Sequence, residues 1–281
     1  MSRNKLGAKS LNELAELARS GDKSALEDLI LISQDSLYTL ALRFLANPDD
    51  ARDATQEILI ILITRLSTFE GRSNFRTWAY RIAVNYLLRS RKIQSRAINL
   101  SFQTFEEDLH TGLIEDPAPA ADDVAMLGEL RIACTMAMLL CLDVEHRIAF
   151  VLGEILELDH KEAADILEIA SATYRKRLSR ARSDVIAFSG RVCGIANPSA
   201  QCRCPRRLPE ALRLGRLDRS RPLTQSPGCA EDAGYEAILA RTRTMERNLA
   251  ALCLQKSPAG LTCPDDLAAT VRTIVAEQQI H

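Results

Sequence analysis

The sequence predicts an all-α protein: two helical domains joined by an acidic linker, with a small, mainly helical C-terminal extension. Three observations carry this reading. Ala, Leu, Ile, Glu and Arg are abundant while aromatic residues make up only 5% of 281 residues, a balance that favours helices over sheets. Apolar residues recur at helical spacing through two long blocks, about 11–92 and 125–189. Between the blocks lies a stretch with neither lysine nor arginine, and after them comes a segment rich in Cys, Pro and Arg. At 47% hydrophobic the chain can bury a core, and its formal net charge is only −1.

In the first block the helical pattern runs through Leu26, Leu29, Ile30 and Leu37, then Leu40, Leu42 and Phe44. Asn47-Pro48-Asp49-Asp50 breaks it and supplies N-cap chemistry for a helix over about 50–66. On that helix Asp53, Gln56, Glu57 and Ile60 share one face, a polar patch with an apolar centre suited to a partner surface. The bland alternative is an ordinary surface helix, since acids in a first turn suit the helix dipole.

A polar turn over 71–74 leads to a helix over about 75–92. From Gly71 to Phe105 the chain carries seven arginines and lysines, its only tryptophan and no acid. Cations gathered beside aromatic rings in a near-neutral chain suit a polyanion with stackable bases. Trp78, Arg81, Asn85, Arg89 and Lys92 share one helical stripe, whereas Ile82, Ala83 and Tyr86 fall on another face. Either Trp78 offers a stacking surface to a base, or it tucks inward and the cations merely solubilise the helix.

Residues 97–124 contain seven acids, no Lys or Arg, and Pro117 and Pro119, which reads as an extended acidic linker. In the second block, residues 159–182 read as helix, tight turn, helix. Ala163, Ala164 and Leu167 serve close packing, Glu168-Ile169-Ala170 turns the chain, and Ser171 is the expected N-cap of the next helix. That helix bears Arg175, Lys176, Arg177, Arg180 and Arg182, with Leu178, Ala181 and Val185 as its apolar side. Such a second helix lies in a major groove, with Ser171, Ala172, Arg175, Lys176, Ser179 and Arg180 toward the DNA. Arg175 suits a bidentate bond to guanine and the flanking cations suit phosphates. The alternative is a solvated basic amphipathic helix.

The string Phe69-x-Gly71-x-Ser73-x-Phe75-x-Thr77-Trp78-x-Tyr80-Arg81-Ile82-Ala83-Val84-Asn85 resembles the promoter-melting segment of bacterial extracytoplasmic-function (ECF) sigma factors. These are the compact, two-domain sigma subunits of RNA polymerase. The resemblance implies that Phe69, Ser73, Asn74 and Phe75 line a turn that captures a base flipped from the minus-ten element. It also implies that Trp78, Arg81, Asn85 and Arg89 face the opened DNA. The helix with Asp53, Gln56, Glu57 and Ile60 looks like the family's polymerase-docking helix. Glu162-Ala-Ala…Leu167…Leu178-Ser-Arg180-Ala181-Arg182 resembles the domain that reads the minus-thirty-five element. Glu168 departs from the family's usual glycine, Tyr174 from a small β-branched residue, and Asp143 from a common proline. The acidic linker would mimic a nucleic-acid strand in a polymerase channel, or serve as a solvated tether.

The expected organisation is then a polymerase-binding and melting domain over 10–96, a linker over 97–124, a helix-turn-helix domain over 125–189 and an extension over 190–281. The resemblance covers about 10–190. In the extension, Cys193, Cys202 and Cys204 could bind Zn²⁺ or Cu⁺ given a fourth ligand or a trigonal site. Adjacent arginines would lower their thiol pKa values and suit redox sensing; plain reduced thiols are the other reading. Apolar stripes at Tyr235, Ile238, Leu239, Met245, Leu249 and Leu252, and at Leu267, Val271 and Ile274, imply two further helices near 231–254 and 266–279. The extension is expected to regulate exposure of the DNA- and polymerase-binding surfaces.

The implied partners are core RNA polymerase, promoter DNA and an anti-sigma factor, with no cofactor required. The N-terminus lacks a signal-peptide pattern and no apolar run reaches bilayer length, which predicts a cytoplasmic protein. Four histidines in unpromising contexts, with no phosphate loop or paired-carboxylate motif, argue against an enzyme. A stand-alone helix-turn-helix regulator is the alternative, and it leaves Asp53–Glu57 and Phe69–Asn85 unexplained.

Overall fold

The computed structural model describes residues 10–90, 100–115, 123–220, 223, 247–256, 263, 267, 270, 271 and 273. Among them are eleven α-helices and no strand beyond one isolated bridge between Cys193 and Cys202. The first block folds as α1 (Leu11–Arg19), α2 (Lys23–Leu45), α3 (Pro48–Thr64) and α4 (Phe75–Arg89), with a 3₁₀ turn at Leu66–Thr68. Their starts follow from local chemistry. Ser10 and Glu13 close a capping box on α1, and Asp22 accepts from the N–H groups of Ser24 and Ala25 on α2. Asn47 caps α3 and Pro48 occupies its first turn, so that helix begins two residues before the expected point. A side-chain cap of this kind is worth about 1 kcal/mol. α2 packs along α1 and α3 and is the shaft of this unit, with Leu37, Leu40 and Leu42 fully buried.

The centre of the linker is not extended. Ser101 caps a helix, α5 (Phe102–His110), whose Phe105 and Leu109 are buried. Phe105 stacks on Phe188 with ring centroids 5.5 Å apart. Among the described residues three of the seven acids are ion-paired: Glu106 meets Arg191 at 2.5 Å, Asp108 meets Arg207 at 2.9 Å and also Arg216, and Asp123 meets Arg219 at 2.9 Å. Two buried side chains on a nine-residue helix are too faint a pattern to read through so many carboxylates.

The second block comprises α6 (Asp123–Leu140), α7 (Val144–Phe150), a π turn at Val151–Ile155, α8 (His160–Leu167) and α9 (Ser171–Val192). Asp143, in place of the expected proline, caps α7 by accepting from the His146 N–H at 3.0 Å. Glu168 ends α8 at φ 54°, ψ 41°, the left-handed conformation for which glycine is usual. Ser171 is not the N-cap of α9: Ala170 holds that position without a side-chain cap, and Ser171 is the first helical residue. The turn after Glu168 is one residue tighter than the serine suggested.

In the extension, α10 (Cys204–Arg213) packs on α6, and α11 (Arg247–Lys256) runs along α9. Leu249 is 55% exposed and does not join the apolar stripe expected of it, while Leu254 is buried. Tyr235, Ile238, Leu239, Met245 and Ile274 lie outside the described residues. One buried cluster unites linker helix, second block and extension through Phe105, Leu130, Phe188, Leu208 and Leu254. A larger one runs through both blocks, from Leu14 to Val185, and includes Leu267 and Val271. The two helical blocks therefore share a core. Among the described residues no helix is long and apolar enough to cross a membrane.

Candidate nucleic-acid interface

The face of α3 that carries Asp53, Gln56, Glu57 and Ile60 is complementary to the one that buries Ala51, Ala54, Ile58 and Leu59. Glu57 is exposed and the other three are half-buried, so acids surround an accessible isoleucine. This is a surface a protein partner can cover.

The turn ahead of α4 is built on an aromatic cluster. Phe69, Phe75 and Trp78 pack mutually with ring centroids 5.4–5.7 Å apart. Phe69 and Phe75 are each only 2% exposed. They form the floor behind the turn and present no ring face to a base, which corrects the expectation that they line it. Their burial is fixed from α1, where Arg19 donates to the Phe69 carbonyl at 3.0 Å and Asn12 accepts from the Phe75 N–H at 2.6 Å. Gly71 takes φ 70°, which the turn requires of a residue without a side chain. Asn74 caps α4, its side chain accepting from both the N–H and the hydroxyl of Thr77. Ser73 is half-buried at the rim.

Along α4, Trp78, Arg81 and Asn85 are half-buried and Arg89 is exposed. Trp78 is intermediate between the two readings the sequence allowed, packed on two phenylalanines yet not enclosed. The first turn of α4 is covered by α8. Glu162 bonds Arg76 through both carboxylate oxygens, at 2.8 and 3.3 Å, and accepts from the Thr77 hydroxyl at 2.9 Å. Arg81 donates to the Asp165 carbonyl at 3.0 Å. Arg76 and Glu162 are 86 residues apart, so no local spacing in the sequence points to their meeting.

On α9, Ala172, Arg175, Lys176, Ser179 and Arg180 are all exposed, and together they line one open surface concavity of about 410 Å³. Ser171, half-buried, stands beside it. The opposite face is locked down: Tyr174, Leu178, Ala181 and Val185 are buried. Tyr174 donates to the Ala149 carbonyl at 3.1 Å. Arg177 pairs with Glu145 at 2.6 Å, and Arg182 pairs with the buried Glu154, so these two cations hold the domain together and leave the concavity to the others.

The extension's thiols fit the plain reduced reading and not the reading as arginine-activated thiolates. Cys193, Cys202 and Cys204 line a cavity of about 30 Å³ with Cys134 of α6, which the sequence did not single out. Burial pushes the Cys202 thiol up to about 12 and raises Cys134, Cys193 and Cys204 as well. The neighbouring arginines do not produce thiolates, because desolvation outweighs their charge and they are engaged elsewhere. Arg207 bonds the Thr111 carbonyl and Asp108, and Arg206 bonds the carbonyls of Ile114 and Gln201. Among the described residues no three His, Cys, Asp or Glu side chains are grouped so as to hold a metal ion. The Zn²⁺ or Cu⁺ expectation therefore has no ligand set there.

Two family models match the chain, Sigma-70 region 2 over residues 29–97 and Sigma-70, region 4 over residues 132–185. The RNA polymerase sigma-H factor of Pseudomonas aeruginosa is 30% identical over 179 residues, covering 62% of this chain and 90% of the relative. The ECF RNA polymerase sigma-E factor of Escherichia coli is 30% identical over 178 residues, covering 61% and 90%. The ECF RNA polymerase sigma factor SigW of Bacillus subtilis is 29% identical over 167 residues, covering 58% and 88%. The first model spans α3, the aromatic turn and α4, and the second spans the helix-turn-helix.

Proposed function

Because the chain belongs to the extracytoplasmic-function sigma factors of RNA polymerase, we propose that it brings core polymerase to two-part promoters in the cytoplasm and helps to open them. Sigma factors are initiation factors that catalyse no reaction of their own. In this reading α3 docks on polymerase through Asp53, Gln56, Glu57 and Ile60. The rim of the aromatic turn, Ser73 and Asn74, and the α4 stripe of Trp78, Arg81, Asn85 and Arg89 take the minus-ten strand. Phe69 and Phe75 hold that turn in shape from beneath. On α9, Arg175 reads a base edge while Lys176 and Arg180 hold phosphates and Ser171, Ala172 and Ser179 allow close approach.

The observation that carries the proposal is the α9 surface. Five outward residues, two of them arginines and one a lysine, are exposed together on one concavity, while the large apolar side chains of the same segment, Tyr174 and Leu178, are buried. A solvated helix needs no such segregation of free cations from paired ones. No cofactor is required, and an anti-sigma protein would act by covering the α3 or α4 surfaces. The test is run-off transcription with purified core polymerase on fragments of the source genome. Transcripts that require this protein support the reading. Duplex binding that owes nothing to polymerase would favour a stand-alone regulator.

A further inference from the structure

A polar stripe of α1 runs along the turn that leads into α4. Asn12, Glu16 and Arg19 are spaced four and three residues apart, which places them on one face of the helix. Asn12 Oδ1 accepts from the Phe75 N–H at 2.6 Å, at the far end of the turn. Arg19 donates to the Phe69 carbonyl at 3.0 Å, at its near end. Glu16 stands between the two. It accepts from Arg19 at 2.6 Å, and its Oε1 lies 3.6 Å from where a Cβ on Gly71 would be. Helix and turn therefore run antiparallel in register, Asn12 against Phe75, Glu16 against Gly71 and Arg19 against Phe69.

Both hydrogen bonds from α1 go to main-chain atoms of the turn, so they fix its path whatever side chains it carries. Extended, the segment from Phe69 to Phe75 would reach ~20 Å. Instead the rings of Phe69 and Phe75 lie 5.7 Å apart, and the chain between them is bowed outward. Glu70, Gly71, Arg72 and Asn74 are exposed on that bow. A loop tip of this kind loses conformational freedom when it closes on a ligand, and that loss weakens binding. Ends already tied to a helix reduce the loss and hold the rim at Ser73 and Asn74 to one width. A rim of fixed width can reject a base that does not fit; a loose one adapts to any base. The family model that matches this part of the chain begins at residue 29, so α1 lies outside it.

We propose that Asn12 and Arg19 are positioning residues for minus-ten recognition. They set the shape of the turn from its two ends, Glu16 orients Arg19, and together they decide how strictly the turn discriminates among bases that they never touch. The proposal rests on the reading of this turn as the receptor of the minus-ten strand.

The test uses full-length protein assembled with core polymerase and a single-stranded DNA library carrying a randomised hexamer. Sequencing the retained strands gives the enrichment of the preferred hexamer over the median one. Asn12→Leu should lower that enrichment about fivefold and Arg19→Met, at a more exposed site, about threefold. Asn12→Asp keeps an acceptor for the Phe75 N–H and should restore the wild-type preference. Trp78 is the chain's only tryptophan and packs on Phe69 and Phe75, so its emission reports the turn directly and should shift to the red in Asn12→Leu and not in Asn12→Asp. Full enrichment in Asn12→Leu, or equal losses in Asn12→Leu and Asn12→Asp, would overturn the proposal. A wild-type holoenzyme that enriches no hexamer would overturn the sigma reading and this proposal with it, whereas wild-type enrichment that both α1 variants retain overturns the positioning role alone.

Discussion

Tyr174 and Gly153 are fitted to one another: a Cβ added at Gly153 would stand 2.5 Å from the Tyr174 hydroxyl and 2.9 Å from Leu178. The hydroxyl is held there by its bond to the Ala149 carbonyl, and the ring is fully buried. A large aromatic side chain therefore replaces the small residue usual at this position because the π turn at Val151–Ile155 places a glycine opposite it. Gly153→Ala should cost about 1–3 kcal/mol through overpacking. In a Tyr174→Phe background the penalty should shrink, since the closest atom is gone. Urea denaturation of the four proteins gives the coupling, and additive effects would show that the two residues do not share this volume.

Glu168 gives a prediction of opposite sign. Its φ of 54° strains a residue with a Cβ by about 1–2 kcal/mol, while glycine would add conformational freedom to the unfolded chain worth about 0.4–1 kcal/mol. Glu168→Gly should therefore stabilise the protein by roughly 0.5–1 kcal/mol. Calorimetry should show a higher Tm. A lower one would mean that the Glu168 side chain contributes more than its backbone loses.

Elements whose cause is local were legible. Asn47 before Pro48 and the buried face at Leu178, Ala181 and Val185 follow from capping or period, and the structure has them. The exposed surface on α9 was legible for the same reason, because a helix that buries one face must present the other. What the sequence hid was long-range. Nothing in the string Phe69–Phe75 distinguishes aromatic rings that wait for a base from rings that fill the floor beneath one. The seat of Glu162 on Arg76 and the helix within the acidic linker depend on partners some 85 residues away. Of the two readings of the thiols, the one that took the flanking arginines as their electrostatic partners fails, because those guanidiniums bond carbonyls and Asp108.

The two DNA elements should separate by mutation. Arg175→Ala removes an exposed cation from the α9 concavity and should weaken binding to duplex promoter DNA by about 1–3 kcal/mol, roughly 5- to 150-fold. Asn85→Ala, on the α4 stripe, should leave duplex binding nearly intact and reduce the yield of open complexes. Footprinting with core polymerase, with permanganate reactivity as the measure of melting, distinguishes them. Wild-type footprints and open-complex yields from both variants would remove these residues from the interface.

The buried thiols set the alkaline limit of stability. In the folded chain burial raises the Cys202 pKa to about 12 and raises Cys134 and Cys204 in the same direction. In the unfolded chain these thiols ionise near their ordinary value of about 8.5. Below that pH both states are protonated and the contribution is fully present. Above it the unfolded state releases protons that the folded state keeps, so stability falls as pH rises. Each such thiol contributes a slope of about 1.4 kcal/mol per pH unit. Urea denaturation under reducing conditions should therefore give nearly constant stability from pH 7 to 8 and a steep decline between roughly pH 8.5 and 10. Cys202→Ser should flatten the decline by one thiol's share. A wild-type profile flat to pH 10 would mean that these sulfurs are accessible to water, and that the core joining the extension to the helix-turn-helix unit is open in solution.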